Sequence, residues 1–129
     1  MRLYVLALAL ALSGVCSSQA QGLQAVRPMP GYACMMLSAP PAETVQAIRQ
    51  VPVRQAPSFT APILSVSPTV VLVSDPAVVS DGFLRATFAD RHVGWIQVSA
   101  LKPWSSASNP SRRCVPSVMS NGSLGFDFH

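Results

Sequence analysis

The chain has 129 residues, 12 of them proline, with 11% charged residues and a formal net charge of +4 at pH 7. This leaves room for one small domain with appendages. Only Arg112 and Arg113 adjoin among the basic residues, so the sequence shows no Lys/Arg cluster of the kind a nucleic-acid-binding domain carries and no nucleic-acid partner is expected; the expected surface has a weak preference for anionic neighbours.

Residues 1–20 read as a signal peptide. Arg2 supplies the positive start, Leu3–Leu12 is an apolar run, and Ser18-Gln19-Ala20 carries small residues at the two positions a signal peptidase reads. The run is short for a membrane span, so no span is expected after cleavage at Ala20. Cys16 invites a lipoprotein reading, but the bulky Val15 before it argues against lipidation. Removal of Cys16 leaves Cys34 and Cys114, and an even cysteine count in an exported domain reads as a disulfide. The two flank the central domain, each about ten residues from it, within reach of one another if the domain's ends lie close.

Residues 21–43 read as an arm. Pro28, Pro30, Pro40 and Pro41 break any long helix, and Tyr32–Leu37 is apolar enough to lie extended against a neighbour. Glu43–Arg49 suits one helical turn or a loop. Short strands are expected from there on: Val51–Arg54, Ile63–Val66 and Val70–Val73, the last a β-branched run. Asp75-Pro76 and Asp81-Gly82 supply turn chemistry. Phe83–Phe88 and Val93–Val98 then form a hairpin around Ala89–His92. Leu84, Ala86 and Phe88 share one face of the first strand, and Gly94, Ile96 and Val98 one face of the second; these suit a core. The opposite face carries Phe83, Arg85, Thr87 and Trp95, where a partner could touch it. Gly94 is expected to serve close strand approach. Ser99–Leu101 reads as a tight turn and Lys102–Trp104 closes the unit. Five short strands without a long helix predict an all-β fold, a small antiparallel barrel or sandwich spanning 44–104. Residues 105–129 are a Ser/Asn/Pro linker and a tail in which any strand is short.

Val53-Arg54 followed by Pro57-Ser58, then Ile63-Leu64, Pro68-Thr69, Val70–Val73, Gly94-Trp95-Ile96 and Leu101, resemble the bacterial Src-homology-3-like domain family over about residues 44–104. Two departures stand out. Phe83-Leu84-Arg85-Ala86 replaces that family's usual Trp-Tyr-Lys-Val, so Phe83 lacks an indole donor. Arg91 replaces the usual turn glycine, so the turn backbone is expected to avoid positive φ. The resemblance implies a five-stranded barrel that acts as a targeting or binding module of the cell envelope, periplasmic or secreted, with peptidoglycan or a peptide or protein partner as ligand.

Catalysis lacks a converging set. An oxidised Cys34–Cys114 pair offers no thiolate to His92 or His129, and Asp75, Asp81 and Asp90 fall in turns that favour Asp for backbone reasons. Met29, Cys34, Met35, Met36 and Met119 are soft ligands suited to Cu(I), but adjacent Met35 and Met36 on a strand point opposite ways and a gap-filling role is commoner. No metal or cofactor is therefore expected. The candidate ligand-binding residues are Phe83, Trp95, Tyr32 and Arg85, with Trp104 a packing residue. The alternative to an envelope binding module is an assembly subunit that docks onto a partner protein through its clasped arm and tail.

Overall fold

The computed structural model describes residues 22–38 and 51–129. The expected signal peptide, Cys16 and the helical turn at 43–49 lie outside these. The described chain is nearly all β, with eleven strands: β1 (Ala25–Pro28), β2 (Tyr32–Leu37), β3 (Pro52–Arg54), β4 (Ile63–Val66), β5 (Val70–Ser74), β6 (Val79–Ser80), β7 (Phe83–Thr87), β8 (Val93–Gln97), β9 (Leu101–Pro103), β10 (Cys114–Met119) and β11 (Leu124–Phe128). A single 3-10 turn, Val98–Ala100, sits where the tight turn is expected.

Two antiparallel sheets form. The main sheet has the order β4-β3-β8-β7-β5-β2-β9, with β6 paired to β7, and the small sheet has the order β1-β10-β11. The strands expected between 51 and 104 appear within a residue or two of their places. The closed five-stranded barrel does not: among the described residues no pairing joins β4 to β9. The arm is also more than an appendage, because β2 pairs with β5 from Tyr32↔Ser74 to Met36↔Val70 and with β9 from Met35↔Pro103 to Leu37↔Leu101. The prolines of the arm flank β2 and leave its interior donors free for both neighbours.

Alternation along the strands separates two faces. Leu37, Val53, Val71, Val73, Leu84, Ala86, Ile96 and Leu101 meet in one core cluster on one face, with Ala33, Met35 and Phe88 against it. Gly94 is needed there, since a Cβ at this position would collide with the Val53 side chain and stand 3.2 Å from the Phe88 ring. The opposite face carries Leu72, which packs with Val118 and Leu124 of the C-terminal hairpin and with Met29, Tyr32 and Phe126 around them. The tail is thus a second layer and not a loose end. Its strands pair over five positions, Cys114↔Phe128 to Val118↔Leu124, and Gly122 takes the positive φ of 82° that the turn demands.

The β7–β8 turn corrects another expectation: Arg91 has φ 72°. Arg91 N–H donates to Phe88 O at 2.8 Å and Phe88 N–H to His92 O at 3.0 Å. This is a β-turn followed by one left-handed residue, a common way to close a short hairpin, and the geometry is imposed whatever side chain stands there. The Asp90 carboxylate accepts from the backbone N–H of His92 at 3.1 Å and from its ring, which holds the turn from within.

Cys34 and Cys114 are disulfide-bonded, with Cα atoms 6.2 Å apart. The bond joins β2 of the main sheet to the start of β10, and so ties the two layers together.

Candidate functional site

The register of the main sheet sets a row of side chains across its outer face. Arg54 on β3 stands opposite Trp95 on β8, and Trp95 stands opposite Arg85 on β7. Directly paired residues of an antiparallel sheet project to the same side, so the half-buried Trp95 has an arginine on each neighbouring strand. Arg85 then shares a cleft of about 530 Å³ with Ser74 on β5, Tyr32 on β2 and Arg91 from the β7–β8 turn. Tyr32 in turn faces Ser74 in register. The row therefore crosses five neighbouring strands, about 19 Å at the usual inter-strand spacing.

On its far side Tyr32 borders a second cleft of about 450 Å³, with Trp104, Arg112, Arg113 and the Cys34–Cys114 disulfide. Trp104 stacks against Phe128 at 5.2 Å, and Phe128 against Phe126 at 5.8 Å. Arg112 sits over the Phe128 ring at 6.0 Å, a cation–π distance. Two pairs of arginines thus flank one tyrosine, and Trp104 lines a cleft as well as packing.

Among the described residues the ion pairs are His92–Asp90 and His129–Asp127. Neither uses an arginine. Arg54 donates to Ala61 O at 3.0 Å and Arg91 to Gly122 O at 3.3 Å, so their positions are fixed while their charges stay uncompensated. The surface offers fixed positive charge interleaved with aromatic faces, a chemistry suited to carboxylates carried on an extended chain or glycan.

Of the four residues expected to bind, Tyr32 and Arg85 meet in one cleft and Trp95 lies beside Arg85. Phe83 does not belong with them. It is 2% exposed, because the β3–β4 loop folds over it and sets Phe59 edge-on at 5.0 Å. That loop is held down by Gln55 N–H donating to Pro62 O at 2.9 Å and by the Arg54–Ala61 bond. The arginines at 54, 91, 112 and 113 and Ser74 are additions. The Arg112-Arg113 pair is visible in the sequence as the one adjoining basic pair, whereas Arg54 and Ser74 are brought in by strand register and Arg91 by the β7–β8 turn.

Asp90 is held below its ordinary carboxylate range, first by the hydrogen bond from the His92 ring and then by the His92 backbone N–H. Among the described residues no three His, Cys, Asp or Glu side chains come together as a metal-binding group, and no helix is long and apolar enough to cross a membrane. No family model, curated protein or solved structure compared with the chain matches it.

Proposed function

We propose that this protein is an exported, non-enzymatic binding module of the bacterial cell envelope that recognises peptidoglycan or a peptide of an envelope protein. The strand positions over 51–104 and the Gly94-Trp95-Ile96 strand support a Src-homology-3-like ancestry, with β2 added to the sheet. The observation that carries the reading is the row Arg54–Trp95–Arg85–Tyr32, continued past Tyr32 to Arg112 and Arg113. Peptidoglycan presents carboxylates at intervals along sugar and peptide chains, and such a ligand matches guanidinium groups spaced by aromatic rings. The disulfide is compatible with an oxidising compartment outside the cytoplasm.

The test is sedimentation with purified peptidoglycan at low and high salt. The protein is expected in the pellet at low salt and released as salt screens the contacts. Arg85→Gln and Trp95→Ala should each cut retention several-fold with far-UV circular dichroism unchanged. Retention that neither substitution alters would refute the reading, as would a Trp95→Ala protein that fails to fold, since the indole would then serve packing alone.

A second reading, an assembly subunit docking through its clasped arm and tail, is favoured by one observation. Leu23 and Val26, in and beside the outer strand of the small sheet, are 59% and 65% exposed. Capture of a specific envelope protein, lost on Val26→Lys and kept on Arg85→Gln, would select it.

A further inference from the structure

A cavity of about 380 Å³ opens between the outer face of the main sheet and the C-terminal hairpin, on the side of the β7–β8 turn away from Arg91. Val70 and Leu72 line it from the main sheet, Leu124 and Phe126 from the hairpin, and Phe88 at the start of the β7–β8 turn. The layers are held at this spacing by Leu124 N–H donating to Ala89 O at 3.0 Å and by the Arg91–Gly122 bond.

Two features give the cavity polar direction. Asp90 and His92 stand at its edge, with the His92 ring stacked on Phe88 at 4.6 Å. Thr87 lines the wall and is only 6% exposed, yet its hydroxyl has no hydrogen-bond partner among the described residues. Since no buried side-chain polar atom there is left without a partner, the hydroxyl oxygen must reach open space. That space is this cavity or the Arg85 cleft, which Thr87 also borders. A hydroxyl with that access and no partner among the described residues can bond a ligand in place of water.

An apolar cavity of about 150 Å³ stays dry and takes up benzene. The present one is larger, with room for a chain of about ten carbons by that measure, and lies within the size range of small-molecule sites. No Lys or Arg lines the cavity to pair with a carboxylate or phosphate head group, and Asp90, exposed at its edge, leaves no enclosed counter-charge for a cationic one. We propose that this cavity binds a single aliphatic chain bearing an uncharged hydrogen-bonding head group, a hydroxyl or an amide, with the Thr87 hydroxyl as its polar contact. The cavity adjoins the Arg85 cleft at Thr87 and shares no other lining residue with it.

The experiment is a fluorescence titration of the purified protein with phenylnaphthylamine at neutral pH, followed by competition with decanol and with decanoate. A saturable single-site signal is expected, with decanol competing at about tenfold lower concentration than decanoate. Thr87→Val, which keeps the shape and removes the hydroxyl, should weaken decanol competition about five- to tenfold and leave probe binding near that of the native protein. Ala89→Trp, at an exposed position on the cavity lining, should abolish the saturable signal with circular dichroism unchanged. No saturable uptake, equal competition by decanoate, or decanol affinity unchanged in Thr87→Val would each overturn the assignment. Should Ala89→Trp not fold, the Thr87→Val and decanoate comparisons decide alone.

Discussion

Arg91 keeps a left-handed backbone that a β-carbon resists, at a cost on the order of 1–3 kcal/mol, because the hairpin closes only through that geometry. Arg91→Gly should therefore raise stability by about 0.5 kcal/mol once glycine's extra unfolded-state freedom and the loss of the exposed Arg91–Gly122 bond are deducted, read as a higher urea midpoint with unchanged slope. The same substitution removes one cation from the Tyr32 cleft, so peptidoglycan retention should fall while stability rises. Asp90 beside it has a depressed pKa, caused first by the His92 ring and then by the His92 N–H. Its contribution to the turn is present above the ordinary value of 3.8 and is lost as pH falls through the lower native value. In a carboxyl NMR titration the native Asp90 midpoint should lie below 3.8 and move up towards it in His92→Ala; a native midpoint at or above that value would contradict the assigned bonds.

At the scale of elements, the legible part of the fold is the local part. Val70–Val73 and the Phe83–Val98 hairpin declare themselves through β-branching, alternation and a short polar turn, and they form β5, β7 and β8 within a residue of their expected ends. The positions of β2 and of the β10–β11 hairpin were harder. Tyr32–Leu37 has strand character, but its partners lie about forty residues away on β5 and farther still on β9, and no local pattern encodes that insertion. Phe83 was misplaced for the same reason: alternation put it correctly on the outer face, and a distant loop then covered that face with Phe59. Tyr32, Arg85 and Trp95 of the candidate surface are legible by residue type; Arg54 joins them by strand register, and Arg91, Arg112 and Arg113 by the folding of a turn and of the segment before β10. The two clusters also differ in size, since only Leu72, Val118 and Leu124 are buried in the one under the hairpin, against eight residues in the other. The hairpin should open before the main sheet. In native-state hydrogen exchange the amides of Val118 and Leu124 should exchange faster than those of Leu84 and Ile96; equal protection would mean that the two layers open as one unit.

For the molecule as a whole, the decisive constraint is the bond between Cys34 and Cys114 across a sequence separation of 80. Closing a loop of that length is worth roughly 4–5 kcal/mol in the chain-entropy model. Reduction should lower the melting temperature by many degrees, and non-reducing peptide mapping should find the two cysteines in one linked pair with no free thiol. An unchanged melting temperature on reduction would show that packing between the layers suffices without the bond.

The same covalent link governs how the protein answers a mechanical pull. A tensile load applied through the two ends of the chain passes along the stretch before Cys34, through the sulfur bridge, and out along β10 and β11 after Cys114. Every strand from β3 to β9 lies inside the bypassed loop and carries no part of that load. Stretching can peel β1 and the C-terminal hairpin apart, whereas the core around Val53, Ile96 and Leu101 is shielded from extension for as long as the bridge is oxidised. By this wiring the outer layer would come away before the main sheet felt any force, and would re-form on an intact template when the tension ceased.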